Sequence, residues 1–185
     1  MSVDNGGIQG CPLFYIFEKI KIMKKFLITL VFLLGIIQLI RPDKNIGKVD
    51  AAKSIETDFP MPAGVKASME KACFDCHSNN TKYPWYAEIQ PVGWYLTNHI
   101  RDGKRHLNFD EFLTYDVKRR DHKMEELIES QTEGWMPMES YTLIHKDAKL
   151  TSEEKNAIIA YAKSVRASVG YTKAGGEEKG EKGEH

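Results

Sequence analysis

The sequence predicts an all-α protein, and three features of its pattern lead to that expectation. The apolar residues of the central chain recur at helical spacing, no stretch alternates convincingly with a period of two, and helix start signals stand before several apolar runs. Hydrophobic residues make up 42% of the 185 positions and charged residues 28%, which is typical of a folded protein. The 26 basic and 26 acidic side chains balance, so the composition argues against a nucleic-acid partner.

An apolar run near the N-terminus follows a cluster of basic residues. Residues 26–40 read FLITLVFLLGIIQLI, and four lysines precede them: Lys19, Lys21, Lys24 and Lys25. This asymmetry predicts that residues 1–25 stay in the cytoplasm and that the rest of the chain lies beyond the inner membrane, in the periplasm. No small-residue cleavage site follows the run directly, so we expect a transmembrane anchor. The length of the apolar run is also compatible with a cleaved signal peptide. Met23 is an alternative start of the chain.

The rest of the chain divides into a linker, one domain and a tail. Residues 41–62 are mostly polar, and Pro60 and Pro62 near their end predict a linker. Residues 63–170 are expected to form a single folded domain. Residues 171–185 carry almost nothing apolar to bury, which predicts a disordered tail.

Helical segments are expected at four places in the domain. They cover residues 65–72, the segment from Pro91 to a stop at Gly103, residues 117–129, and the segment from Thr151 to Gly170. Thr151 with Glu154 has the spacing of a capping box, and Asn108 with Glu111 has the same spacing.

A cysteine-histidine motif carries the main chemical signal. Cys73 and Cys76 are three positions apart and His77 follows directly, which is the attachment spacing of a c-type haem. Each residue type has a role there, because the two thiols add to the vinyl groups as thioethers and the adjacent imidazole reaches the iron. The sequence therefore predicts one covalently attached haem c held by Cys73 and Cys76, with His77 as a ligand of its iron.

Other uses of the two cysteines fit less well. A structural zinc site needs four ligands, and no second cysteine pair is available to complete one. A thioredoxin-like redox pair belongs to a βαβ context, which the helical pattern lacks. A disulfide across two intervening residues is strained and leaves His77 without a role.

The sixth ligand of the iron is expected from a methionine. Met136 precedes Pro137, which favours an extended conformation at Met136 and therefore a loop. A soft thioether there favours ferrous iron and raises the reduction potential. Met138 and His99 remain alternatives, because Met138 lies two residues further on and His99 shares an apolar helix face.

Charged and aromatic residues near the motif have secondary roles in this interpretation. A basic group at the end of the second helix could neutralise haem propionates: Arg101, Lys104 and Arg105. The three tryptophans are expected to pack in the core or on the haem: Trp85, Trp94 and Trp135.

The stretch around the motif resembles a family of bacterial haem-binding domains related to c-type cytochromes. The resemblance covers residues 65–165 and depends on the sequence CFDCHSNNTKYPWY from Cys73, on PVGW from Pro91, on His99 and on LNF from Leu107. The Met136-Pro137 pair and the last helix are similar to class I cytochromes c. The resemblance implies a cytochrome c-like helical domain around one covalent haem, with His77 as proximal ligand, tethered to the membrane in the periplasm. The Gly-Pro element that class I cytochromes often carry after the motif is absent, which leaves the backbone partner of the His77 ring open.

Two functions are compatible with these features. The first is a membrane-anchored periplasmic cytochrome that passes single electrons between redox partner proteins and is not an enzyme, so that no catalytic residue is expected. The second is a haem-based sensor or peroxidase-like enzyme whose sixth iron position is open or displaceable, with His99 as a possible acid-base group.

Overall fold

The computed structural model describes residues 12–171 of the chain. Cys11 with the first part of the predicted cytoplasmic segment, and residues 172–185 of the predicted tail, lie outside the described residues. Eight α-helices are present between residues 12 and 171: α1 (Pro12–Ile37), α2 (Ile55–Asp58), α3 (Ala63–Ala72), α4 (Phe74–His77), α5 (Val92–His106), α6 (Val117–Glu133), α7 (Glu139–Ile144) and α8 (Ser152–Val169).

The all-α prediction is confirmed for this part of the chain. Its one β-type pairing is an isolated antiparallel bridge between Ile46 and Asn80. Short 3₁₀ helices complete the described secondary structure: Ala51–Lys53, Trp85–Glu88, Phe109–Thr114 and Lys146–Ala148.

Two compact units divide the chain. The smaller unit joins the described residues up to Asp43 with Pro84–Leu96. Within it, the Gln38 side chain donates to the carbonyl of Gln90 at 3.0 Å and accepts from the Gln90 N–H at 2.8 Å. The larger unit joins Lys44–Tyr83 with the described residues from Thr97 onward, and it contains the hydrophobic core.

The apolar run at residues 26–40 lies mostly in α1. That helix also contains the four lysines that precede the run, and it ends at Ile37. Its apolar part, residues 26–37, is shorter than the roughly 20 residues that a membrane span requires. Among the helices of residues 12–171, none is both long and apolar enough to cross a membrane, so the predicted transmembrane anchor is not supported.

Helices α6 and α8 form the framework of the larger unit. α8 presents Ile158, Tyr161, Ala162 and Val165 to the core at helical spacing, all of them buried. The Arg166 guanidinium on α8 binds both carboxylate oxygens of buried Asp121 on α6, at 2.8 and 2.9 Å. Within the capping box that precedes α8, the N–H groups of Thr151 and Glu154 both have side-chain acceptors.

The ends of α8 and α6 follow local sequence signals. Thr151 and Glu154 exchange both hydrogen bonds of the capping box, and α8 ends at Gly170 with φ +67°. Both predictions for this helix are confirmed. Asn108 instead caps the 3₁₀ helix Phe109–Thr114, and α6 begins after Asp116, whose carboxylate accepts from the Arg119 N–H at 2.8 Å.

The segment predicted to be a linker, residues 41–62, contributes to the core. Ile55 on α2 is completely buried, and the Phe59 and Phe112 rings make a T-shaped contact with centroids 6.3 Å apart. The Tyr161 hydroxyl also donates to the Phe59 carbonyl at 2.8 Å. The packed structure therefore begins before residue 63, because three apolar side chains of this stretch, Ile55, Phe59 and Met61, reach the core.

Candidate functional site

A cavity of about 530 Å³ lies within the larger unit. All four residues that the sequence singled out for cofactor binding line it: Cys73, Cys76, His77 and Met136. The two alternative ligands, His99 and Met138, line the same cavity. Its volume is within the range of roughly 300–1,000 Å³ that is typical of small-molecule and cofactor sites.

The cysteine-histidine motif forms a single helical turn. α3 ends at Cys73, whose N–H donates to Met69 at 2.8 Å, and α4 begins at the next residue. The N–H groups of Cys76 and His77 both donate to the Cys73 carbonyl, at 3.1 and 3.0 Å. Residues three and four apart on a helix share a face, so this turn presents both thiols and the imidazole to one side.

Gly103 lets α5 approach this turn closely. A Cβ at this position would lie 2.8 Å from the Cys76 carbonyl oxygen and 3.2 Å from the Cys76 Cβ. The sequence predicted that Gly103 ends the helix, but α5 continues to His106. The glycine is needed for close packing against the motif rather than for a helix stop.

The two thiols are partly buried. Burial raises the pKa of Cys73 to about 12, and the neighbouring Cys76 thiol adds to the shift. Burial also raises the pKa of Cys76 to about 11, with a further contribution from Asp75. A redox-active pair requires a lowered thiol pKa, so these shifts argue against a thioredoxin-like role.

The His77 ring is oriented by a backbone carbonyl. Its Nδ1 lies 2.8 Å from the carbonyl oxygen of Leu107, which follows α5. A carbonyl oxygen accepts only, so Nδ1 carries the hydrogen and Nε2 keeps the lone pair that a metal needs. Burial lowers the pKa of His77, which also favours the neutral ring. Leu107 is the partner that the missing Gly-Pro element left open.

Met136 lies in the loop between α6 and α7. α6 ends at Gly134, which adopts φ +79°, and α7 begins at Glu139. Met136 is therefore outside any helix, as the following proline predicted, and the Met136-Pro137 peptide bond is cis. Its carbonyl accepts a long hydrogen bond of 3.4 Å from the Gln131 side chain.

Tyr141 is a site residue that sequence reasoning missed. It lines the cavity from α7, and its hydroxyl donates to Asp75 Oδ2 at 2.8 Å. Burial, followed by the contact with Asp75, raises the pKa of Tyr141 well above its usual value. No spacing rule connects residues 66 positions apart, so the sequence carried no signal for this pair.

The basic residues expected at haem propionates have other partners. Arg101 bonds to Asn98, Arg105 to Asp102 at 2.5 Å, and Lys104 to Asn45 at 2.6 Å. None of the three lines the cavity in the part of the chain that is described. The lysine on the cavity wall is Lys123 of α6, which pairs with Glu126 at 2.7 Å.

Only part of the tryptophan prediction agrees with the structure. Trp135 lines the cavity, although its side chain is 49% exposed. Trp85 is 77% exposed and is not a core residue. Trp94 donates its indole N–H to the Ile40 carbonyl at 2.8 Å within the smaller unit.

The residues of the cavity fit a haem. The donor set of two thiols, an imidazole and a thioether matches covalent attachment and two axial ligands. Gln131 is 3% exposed and lines the cavity, and its Oε1 atom has no hydrogen-bond partner among residues 12–171. No cluster of three or more metal-binding side chains occurs in that range. A haem iron needs none, because the ring supplies its equatorial ligands.

Comparison with known proteins identifies the family. A family model described as a haem-binding domain matches residues 32–164, which is more than half of the chain and includes the whole cavity motif. Neither a curated protein nor a solved structure shows significant similarity to the chain. The chain belongs to the family of haem-binding domains.

Proposed function

We propose that this protein is a c-type cytochrome that carries one covalent haem and transfers single electrons between redox partner proteins. The observation that supports the proposal best is that Cys73, Cys76, His77 and Met136 all line one cavity. A haem iron, when bound, supplies reversible one-electron chemistry. The covalent attachment of the haem, the identity of the iron ligands and electron transfer by the protein are all parts of this proposal.

The protein side chains have distinct tasks in this function. Cys73 and Cys76 would hold the ring as thioethers, and Nε2 of His77, whose ring is oriented through Nδ1 by the Leu107 carbonyl, would bind the iron. The thioether of Met136 is a soft donor that favours the reduced state. Apolar walls that include Leu107, Phe109 and Leu127 keep water from the site and so also affect the potential.

A sensor or peroxidase-like function is the second candidate. It is favoured by the polar α5 wall of the cavity, where His99, Asp102 and His106 lie at helical spacing. Such groups could exchange protons with a small molecule bound at the sixth position. A high-spin wild-type protein that binds carbon monoxide at once would favour this function over electron transfer.

We also propose that the domain works outside the cytoplasm. The support comes from the sequence, since four lysines precede the apolar run and a covalent haem is assembled beyond the membrane. Retention at the membrane is a separate part of this proposal. Fractionation with a carbonate wash tests both: a soluble form starting after the apolar run would show cleavage, and a cytoplasmic haem protein would contradict export.

The decisive experiment concerns the covalent bond. The protein is produced with c-type maturation, and its intact mass and its haem retention in acid acetone are measured. We expect a mass increase of one haem that acid acetone does not remove. The double variant Cys73→Ala/Cys76→Ala should lose it, and Cys11→Ala, which removes the third cysteine, should keep it. Haem that extracts from the wild type would overturn covalent attachment.

Electron transfer needs its own measurement. A carrier should titrate as a single reversible one-electron couple without binding a new ligand in either state. A couple that changes its iron ligand on reduction, or that reduces peroxide with turnover, would contradict the carrier function.

A further inference from the structure

One side-chain hydrogen bond joins the two segments that carry the proposed iron ligands. Tyr141 lies on α7, three residues after Met138. Asp75 lies between the two cysteines of the motif. The Tyr141 hydroxyl donates to Asp75 Oδ2 at 2.8 Å. The segment with Met136 is thereby tied to the segment with His77.

The Asp75 end of this bond is well anchored. Its second carboxylate oxygen accepts from the Lys82 N–H at 3.0 Å, and its carbonyl accepts from the Thr81 hydroxyl at 2.6 Å. Asp75 is also part of the single turn of α4. The Asp75 carboxylate is therefore an acceptor held in place by its own contacts, and it would not move together with Tyr141.

The Tyr141 end is restrained as well. Its ring stacks on His145, with centroids 4.4 Å apart and planes 20° apart. Its backbone N–H donates to the Met138 carbonyl at 3.0 Å. Tyr141 is therefore bonded directly to Met138, the last loop residue before α7. Asp75 is held within α4 and Tyr141 within α7, so the hydrogen bond between their side chains links these two helices.

The loop itself has weaker restraints. Gly134, with its positive φ, precedes the loop, and the Met136 carbonyl receives the 3.4 Å bond from Gln131. A bond of that length is near the limit of a hydrogen bond, whereas the bond from Tyr141 to a carboxylate is of the stronger, charge-assisted kind. The stronger restraint therefore lies on the α7 side of Met136.

We propose that Tyr141 is a positioning residue that, through Asp75, holds the Met136 loop against the cavity and so keeps the Met136 thioether on the iron. This inference rests on the proposed function, because it requires Met136 to be the sixth ligand. Without the hydroxyl, the loop opens more often, and the iron becomes accessible to an added ligand.

The test uses Tyr141→Phe in the haem-loaded protein. Phenylalanine keeps the ring on His145 and removes only the hydroxyl. We expect a weaker sulfur-to-iron charge-transfer band, a lower reduction potential, and carbon monoxide binding to the ferrous protein that is about tenfold faster, as the loss of one hydrogen bond to a charged group implies. Hydrogen exchange at residues 134–145 should accelerate by a similar factor.

Two further variants make the result specific. Tyr161→Phe removes the same chemical group from the bond to the Phe59 carbonyl in the core, and it should leave the band, the potential and the carbon monoxide rate unchanged. Asp75→Ala should reproduce the carbon monoxide rate of Tyr141→Phe. The double variant should be no faster than Asp75→Ala alone, because both substitutions break the same bond.

The outcomes separate this inference from the proposed function. If the wild type shows the methionine band and Tyr141→Phe leaves all four readouts unchanged, the inference is overturned and the proposed function stands. If Tyr161→Phe has the same effect as Tyr141→Phe, the effect is general loosening, which also overturns the inference. A wild type without the band overturns the Met136 ligand itself, and the inference falls with it.

Discussion

The Nδ1 atom of His77 lies 2.8 Å from the carbonyl oxygen of Leu107, thirty residues further along the chain. This contact places the ring between α4 and the end of α5, where it also meets the Phe109 ring edge-on at a centroid distance of 6.3 Å. The imidazole is therefore oriented by the polypeptide before any metal binds. A histidine prepared in this way needs little reorganisation to become a ligand.

Replacing His77 should change the iron without releasing the haem. In His77→Ala the thioethers at Cys73 and Cys76 remain, so we expect covalent haem with a high-spin spectrum in place of a low-spin one. Added imidazole should restore the low-spin spectrum, because the cavity left by the side chain admits it. His122→Ala, which removes an exposed histidine, is the control. An unchanged spectrum in His77→Ala would exclude His77 as a ligand.

Met136→Ala should abolish the long-wavelength charge-transfer band of the oxidised protein. We also expect a lower reduction potential and carbon monoxide binding, because the soft donor that favours ferrous iron is lost. Absorption spectra with and without carbon monoxide and a redox titration measure the three effects. Met138→Ala and His99→Ala should keep the band. A bis-histidine spectrum that changes with His99→Ala would assign the sixth ligand to α5.

Gly103→Ala should destabilise the protein although alanine is the better helix former. The added Cβ would come within 2.8 Å of the Cys76 carbonyl oxygen, and we expect a loss of about 1–3 kcal/mol in the free energy of unfolding. Gly64→Ala is the matched control, because the added Cβ at that helical glycine would meet nothing within 4 Å beyond its chain neighbours and its own helix backbone. It should be neutral or stabilise by up to about 1 kcal/mol in urea unfolding. Equal effects of the two substitutions would contradict the packing argument.

Ile55→Ala tests where the folded domain begins. Ile55 is fully buried, so its truncation should lower the free energy of unfolding by about 2–5 kcal/mol. Ile46→Ala serves as the control, since Ile46 is 68% exposed, and it should change stability little. Thermal or urea unfolding of the haem-loaded protein measures the difference. If Ile55→Ala left the free energy of unfolding unchanged, residues 41–62 would be a linker rather than part of the folded domain.

Glu154→Gln should lower stability at neutral pH and lose its effect in acid. The Lys71 ammonium, 2.6 Å from Glu154 Oε1, holds the pKa of this carboxyl below its ordinary 4.5, with a further contribution from the Thr151 N–H. A folded pKa below the unfolded one stabilises the protein above pH 4.5, and this contribution is lost as the pH falls through the folded pKa. Glutamine keeps the capping-box acceptor and removes only the charge. Unfolding from pH 7 to pH 3 should therefore show the wild type and the variant converging; a constant difference would contradict the charge effect.

Local signals in the chain predicted the four longest helices of the domain, α3, α5, α6 and α8, although the stop expected at Gly103 was wrong. The capping box at Thr151 and the glycine at position 170 define α8, because a cap depends on residues within one turn. The spacing of Cys73, Cys76 and His77 likewise acts within one turn. The loop position of Met136 followed from the proline beside it, since a proline restricts the residue before it.

The three-dimensional packing decided the contacts between distant segments. Leu107 as the partner of His77, Asp75 as the acceptor of Tyr141 and the close approach of Gly103 to Cys76 join residues that are far apart in the chain. Backbone carbonyls and side-chain hydroxyls carry no sequence pattern that identifies their partners, because every residue has a backbone carbonyl and every serine, threonine and tyrosine has a hydroxyl. The burial of Ile55 was likewise not predictable, because a single apolar residue has no periodicity. Only the packing of α2 against the 3₁₀ helix Phe109–Thr114 shows that it faces the core.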